Sequence, residues 1–574
     1  MHERGEEVIS TNGNRDASPA TAPEQTAGAP TSNLKETFES IIVAFVLALI
    51  FRAFIVEAFV IPTGSMATTL LGAHMRFRCP DCGYQFDVNY SSPRESDNED
   101  DVTIESPAPL RFDVHCPNCG YLIASPNHVS GFSANGGAVY SAPPVFPVDL
   151  GDRILVLKYA YLLKGPQRWD VVVFKAPPDQ PANGPQFQTN YIKRLVGLPG
   201  ETLEVLDGDV FISKDGGQTF TIQTRPREAQ DAMWRIVYDN DHYPQLLPRA
   251  AGNEAPWQQP WSELSGGSGW NVGADAATGR VFHFNNMAGS STIRFNPKAV
   301  STSQTLTDYL VYDTHEKGRR AGFAGSPDDD SRDTNTVSDV KLTLNYRRTD
   351  GNGPLRLQLT KIDDIFTAEI LPNQITVYHD SPAVAHSIIG QPIRFDGSPG
   401  KSHTIDFINV DYRVSLRVDG QELISSTPAN YAPDFDFLLS AWRLRKQLPE
   451  PRIEIQADKQ WSDVSHVSLW RDTYYTNQSV GGSRLLWGVP DSPAILKPDE
   501  YFVMGDNSPI SADARCWGAG VQLPHEDLDV DAGRVPARFL LGRAFFVYWP
   551  AGFRLFGDSG YSLVPNFGEM RFIH

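Results

Sequence analysis

The sequence predicts a mainly β protein with one N-terminal apolar helix, and three observations lead there. Glycine and proline are abundant, 46 and 43 in 574 residues, which favours turns and short strands over a helical bundle. Apolar and polar residues alternate with a period of two along many short runs, as in strands with one buried face. One stretch, Phe38 to Ile61, is apolar for long enough to leave water.

Composition removes several classes. At 41% hydrophobic and 21% charged the chain is neither an acidic disordered protein nor a multi-span membrane protein. A formal net charge of −19 repels phosphate backbones and excludes a general nucleic-acid binder. Five cysteines in so long a chain exclude a disulfide-dense scaffold.

Residues 1–37 hold almost nothing to bury and read as a disordered tail. Residues 38–61 read as a transmembrane anchor: about 20 helical residues cross a hydrocarbon core. Ile41 to Val60 fits, with Arg52 and Glu57 late enough to snorkel or pair near an interface. A cleavable signal peptide is the alternative, against which stands the lack of an A-x-A site after the apolar core. With only Arg4, Arg15 and Lys35 before the span, charge gives little orientation signal.

A first β region, 62–214, contains a cysteine-bearing insertion at 77–125. Its strands are signalled by Ile154-Leu155-Val156, by Asp170 to Phe174 and by Tyr191 to Leu198. Glu201 to Ile212 reads as a hairpin around Asp207-Gly208, a dipeptide suited to a type I′ turn. A second β region, 215–485, alternates clearly at Val340–Tyr346, Leu355–Leu359 and Tyr412–Val418. It predicts a β-sandwich of concanavalin or laminin-G pattern. From 486 to 574 the style of the first region returns, with Tyr501–Met504 and Ala544–Tyr548. The order predicts one domain interrupted by another, whose ends lie together. On that reading 215–485 is replaceable by a short linker without loss of the activity of the interrupted domain.

Three blocks carry candidate chemistry. Pro62-Thr63-Gly64-Ser65-Met66 stands where the chain leaves the apolar span, and Gly64 permits a tight turn that exposes the Ser65 hydroxyl. In Tyr191-Ile192-Lys193-Arg194-Leu195-Val196, Lys193 shares a face with Tyr191 and Leu195, while Arg194 points the other way. Lys193 is either a desolvated base or a snorkelling surface residue. The run from Gly505 to Gly518 packs Asp506, Asp513 and Arg515 densely after a strand, as partners for an ion-pair network with Arg194.

Taken together, these blocks resemble type I signal peptidase, a membrane-anchored serine/lysine protease. FVIPTGSM is similar to the family's nucleophile box, GDRILVLKY to its next box and YIKRLVGLPGE to its lysine box. EYFVMGDNSPISADARCWG followed by GRAFFVYWP is similar to the last one. The resemblance implies Ser65 as nucleophile and Lys193 as general base. It implies an oxyanion hole from Thr63 and the Ser65 amide, and Ser511 as the residue that orients the lysine. Arg194, Asp506, Asp513 and Arg515 match residues that hold the site together. It further implies an all-β catalytic domain split between 62–214 and 486–574, outside the cytoplasmic (inner) membrane on a single span in lipid. The implied partners are signal peptides of secreted preproteins, and no cofactor is needed for catalysis. Thr68 departs from the family's usual proline, and Ala514 and Cys516 from its usual serine and tyrosine.

Cys79-Pro-Asp-Cys82-Gly and Cys116-Pro-Asn-Cys119-Gly resemble zinc-ribbon knuckles, and four cysteines complete a closed tetrahedral site. Disulfides between the knuckles are the alternative; the knuckle chemistry favours structural zinc. Two other functions remain in view: a surface-anchored binding protein on an inactive peptidase core, and a self-cleaving Ser/Lys protease of the repressor type. The intact Ser65 and Lys193 oppose the first, and the apolar span opposes the second.

Overall fold

Strands from the first and last β regions interleave in a single antiparallel sheet. Its order is Val56–Val60, Arg153–Leu157, Leu540–Trp549, Val171–Lys175, Asn190–Gly197, Glu500–Met504 and Val535–Pro536, with Arg571–Phe572 beside Leu540–Trp549. The computed structural model showing this describes residues 33–90, 104–126, 129–132, 138–140, 142–175, 190–247, 257–264, 266–273, 279–299, 306–315, 335–477, 485–518, 520, 529–552 and 564–574. The tail through residue 32 and the acidic, Ser-rich segment 91–103 lie outside these residues.

Both faces of this sheet are covered. Val172, Phe174, Leu195 and Phe502 pack with Leu203, Val205, Val210 and Ile212 on one face. Val171, Val173, Ile154 and Val547 pack with Ile61, Met66 and Leu70 on the other. Strands buried on both faces carry continuous apolar runs, which is why Val171-Val172-Val173-Phe174 shows no alternation. The expected hairpin is present as Thr202–Leu206 paired with Asp209–Ser213. Asp207 and Gly208 take φ of 51° and 85°, the positive values a type I′ turn demands.

The expected anchor differs in its second half. The helix runs Asn33–Phe54, and Val56–Val60 is a strand paired with Arg153–Leu157. Backbone pairing to a neighbouring strand outcompetes helix continuation there, helped by β-branched Val56 and Val60. Glu57 accordingly pairs with Lys158 at 3.0 Å and does not sit in the helix. Among the described residues no helix is long and apolar enough to cross a membrane.

The second β region builds a set of 13 strands around Ile453–Arg471, a strand of 19 residues. Along one edge this strand pairs with Val281–Phe295 and Arg235–Asp239. Along the other it pairs with Val340–Gly351 and Leu355–Lys361. The alternating runs read from sequence are the strands Val340–Gly351, Leu355–Lys361 and Arg413–Val418. Contacts gather Ile55–His574 into one compact unit, with the residues through Phe54 forming the other.

Candidate active site

Gly64–Met66 form a single 3₁₀ turn, closed by the Ala67 N–H donating to the Gly64 carbonyl at 3.0 Å. Gly64 is required by crowding: a Cβ there would meet Tyr312 Cε1 at 2.7 Å and the Asn89 amide at 2.9 Å. The turn holds the Ser65 side chain inward, only 6% exposed. Lys193 lies opposite Val172 on Asn190–Gly197, flanked on its other side by Glu500–Met504. Because both sheet faces are covered, Lys193 is 2% exposed; it is not a snorkelling surface residue. Its Nζ donates to Ser65 Oγ at 2.7 Å and sits 5.4 Å from the Tyr191 ring centroid. An amine against a hydroxyl at this distance, away from bulk water, is the arrangement in which a lysine base activates a serine.

The other expected site residues divide. Ser511 is buried against Gly505, whose Cβ would lie 2.2 Å from Ser511 Oγ and 2.4 Å from the Ser65 carbonyl oxygen. Ser511 therefore adjoins the turn, although its hydroxyl makes no hydrogen bond to Lys193. Thr63 precedes the turn in extended conformation, with φ of −117° and ψ of 162°.

The four charged residues form two separate pairs and not one network. Arg194 grips Asp506 bidentately, Nε to Oδ1 at 2.7 Å and Nη2 to Oδ2 at 2.6 Å. Its Nη1 donates to the Trp169 and His574 carbonyls. Arg515 grips Asp513 in the same way, at 2.8 and 2.7 Å, and Asp513 also accepts from the Gly505 N–H at 3.0 Å. Burial alone pushes each carboxyl up; the adjacent guanidinium overrides it and holds each below the usual carboxylate range. Planar two-point pairing suits such buried sites. These pairs fix the Gly505–Arg515 loop, and Asn507 N–H in that loop donates to the Ser65 carbonyl at 3.0 Å.

Asn507 is a residue the sequence reading passed over. Its Nδ2 donates to the Gly64 carbonyl at 3.2 Å and to Asp313 Oδ1 at 2.6 Å. Its place inside the GDNSP run is the one signal that marks it.

The four knuckle cysteines converge and are not disulfide-bonded. Cys79 and Cys119 sulfurs lie 3.6 Å apart, and those of Cys82 and Cys116 3.5 Å apart; all four fit within 4.8 Å. A tetrahedral zinc with Zn–S near 2.3 Å requires sulfur separations of about 3.8 Å, so the donor set fits that ion. Gly83 and Gly120, at φ of 76° and 71°, close the two knuckles, each donating to the carbonyl of the first cysteine. Side chains of the knuckles reach the second β region: Asn118 Oδ1 accepts from Asp239 N–H at 2.7 Å and Asp81 Oδ1 from Leu247 N–H at 3.0 Å.

Comparison with known proteins points the same way. The family described as signal peptidase, peptidase S26, matches residues 139–255 and 445–549. Those segments contain Lys193, Arg194, Asp506, Ser511, Asp513 and Arg515, whereas Ser65 and the knuckles lie before them. They also run past the expected edges of the interruption, 215 and 485. Signal peptidase I of Leptolyngbya laminosa is 34% identical over 79 residues, 14% of this chain and 39% of that protein. Thylakoidal processing peptidase 1, chloroplastic, of Arabidopsis thaliana is 38% identical over 69 residues, 12% of this chain and 20% of that protein. Signal peptidase I of Rickettsia bellii (strain OSU 85-389) is 23% identical over 180 residues, 31% of this chain and 40% of that protein. The chain thus spans two fifths or less of the length of these relatives. The matched segments include Arg153–Leu157, Val171–Lys175, Asn190–Gly197 and Glu500–Met504 of the sheet that carries the buried lysine, and over those segments the chain is similar to the signal peptidase, peptidase S26, family.

Proposed function

We propose that this protein is a membrane-anchored serine endopeptidase that removes signal peptides from preproteins, with Ser65 as nucleophile and Lys193 as general base. The observation that carries the reading is the 2.7 Å contact between Lys193 Nζ and Ser65 Oγ in a buried setting. Lys193 in its neutral form takes the hydroxyl proton as Ser65 Oγ attacks the scissile carbonyl carbon and passes it to the departing amine nitrogen, which leaves an acyl-enzyme and a lysine that is neutral again. The Ser65 N–H and the Thr63 hydroxyl face the developing oxyanion, a kind of donor worth about 3–4 kcal/mol each. The same lysine then deprotonates the water that releases the acyl group. The lysine-orienting role falls to Ser511, which is buried beside the turn, and Arg194, Asp506, Asp513 and Arg515 keep the loop beneath the serine rigid. Zinc at Cys79, Cys82, Cys116 and Cys119 serves structure alone.

Anchoring rests on Asn33–Phe54, whose 22 residues give a helix about 33 Å long. Phe38, Ile41, Ile42, Phe45, Leu47 and Phe54 on it are exposed, as expected of a helix that meets lipid. Fractionation of the full chain against a version lacking residues 1–54 tests this part; loss of membrane association is the expected result.

The catalytic assignment is tested with a synthetic peptide spanning a signal-peptide cleavage site. Ser65→Ala and Lys193→Arg should each abolish turnover while leaving the protein folded, since a guanidinium does not deprotonate in a protein. Near-normal turnover by Lys193→Arg would dismiss the Ser/Lys mechanism.

A further inference from the structure

The serine turn is gripped on both sides by residues of the second β region. Arg235, buried at the start of Arg235–Asp239, donates from Nη1 to Thr68 Oγ1 at 2.8 Å and from Nη2 to the Ala67 carbonyl at 3.2 Å. On the other side Asp313 accepts from Asn507 Nδ2 at 2.6 Å, and that amide also donates to the Gly64 carbonyl. Tyr312 packs against Gly64 itself and joins Ala67 and Leu71 in a small apolar cluster. Both arms trace to one place. Arg235 is paired in register with Arg471 at the end of the long strand, and Arg471 Nη2 donates to the Tyr309 carbonyl at 2.6 Å, steadying the segment that carries Tyr312 and Asp313.

Resting on the Ser65–Lys193 reading, we propose that Arg235 and Asp313 are positioning residues for the nucleophile, so that the second β region completes the active site. The carbonyls of Gly64 and Ala67 bracket Ser65 and Met66. Pinning both fixes the direction of the Ser65 Cα–Cβ bond, and a displacement of about 1 Å at such a group costs on the order of a hundredfold in rate. Thr68, where the family's usual proline is absent, supplies the hydroxyl that Arg235 reads. Replacing 215–485 by a linker removes Arg235, Tyr312 and Asp313 together, so on this proposal the deletion is inactive, against the expectation drawn from the sequence.

The test uses the full chain and the same synthetic peptide, with kcat, KM and the denaturation midpoint measured for each variant. Arg235→Met should lower kcat at least tenfold with KM within twofold. Arg348→Met removes another buried arginine of the same region, one that donates to the Tyr346 hydroxyl and the Gly351 carbonyl; it should lower the midpoint while sparing kcat. Arg235→Met should add little to the kcat loss of Thr68→Val, whereas independent sites multiply their effects. Asp313→Ala should lower kcat at least fivefold and Asp313→Asn should restore it, a pair that remains decisive if Arg235→Met fails to fold. Near-wild-type kcat in Arg235→Met and Asp313→Ala overturns the proposal, as does an equal kcat loss in Arg348→Met or independent effects of Arg235→Met and Thr68→Val. If Ser65→Ala itself turns over, the underlying peptidase reading fails; Ser65-dependent turnover with these negative results defeats the positioning role alone.

Discussion

Gly505 lies against the Ser65 turn with no room for a side chain, and replacing it with alanine gives a sharp expectation. The added Cβ would lie 2.4 Å from the Ser65 carbonyl oxygen and 2.2 Å from Ser511 Oγ, whereas ordinary contact begins at 3.4 Å. The shortfalls are about 1.0 and 1.2 Å. Ser511 can turn its hydroxyl aside, but the Ser65 carbonyl is backbone and moves only with the serine turn. Overpacking of this kind costs roughly 1–3 kcal/mol of stability. A shift of about 1 Å in the serine lowers turnover by on the order of a hundredfold. The assay pairs urea denaturation with the kcat of peptide cleavage for Gly505→Ala and wild type. Full kcat with a loss of stability below about 0.5 kcal/mol, the range of uneventful surface changes, would refute the reasoning that the Gly505 loop and the Ser65 turn are rigidly apposed.

Two other perturbations test parts of the same frame. Purified protein should hold about one zinc per chain, and chelation or Cys116→Ala should lower the thermal midpoint; metal analysis finding none, with the four knuckle thiols oxidised, would establish disulfides instead. Asp506→Asn strands the buried Arg194 guanidinium and should cost about 3–5 kcal/mol at neutral pH. Because Arg194 holds the Asp506 carboxyl below its usual value, the stability it contributes is present above the unfolded pKa near 4 and is lost as pH falls through the lower folded one. Wild type should therefore weaken on acidification more steeply than Asp506→Asn, and identical pH slopes in denaturation midpoints would remove the pair from the account of acid stability.

Much of the fold was written in local pattern. The strands Arg153–Leu157, Val171–Lys175 and Asn190–Gly197 fall where β-branched runs and turn residues put them, and Asp207-Gly208 makes the turn its two residues favour. What escaped depended on distant partners. The helix ends at Phe54 because Arg153–Leu157 supplies a strand for Val56–Val60 to join, a choice the apolar run alone does not reveal. Alternation placed Lys193 and Arg194 on opposite faces, yet could not show that both faces are covered. Charge composition suggested one network, and side-chain geometry resolved it into Arg194–Asp506 and Arg515–Asp513. Arg235 carried no signal, since nothing local to it speaks of a turn 168 residues away in sequence.

The place of Leu540–Trp549 in the sheet bears on the order in which the molecule is made. Arg153–Leu157 and Val171–Lys175 do not pair with one another; each pairs with Leu540–Trp549, which lies between them. While the chain is still being synthesised, these two early strands await a neighbour nearly four hundred residues downstream, and such long-range closure is slow. Lys193 gains its completed sheet only after that late segment emerges, and Ser65 the loop against it only once residues 505–515 have been made. A nascent chain that has not yet made residues 505–515 and Leu540–Trp549 therefore carries Ser65 and Lys193 without the loop and the completed sheet that hold them together, and on the proposed reading it is inactive.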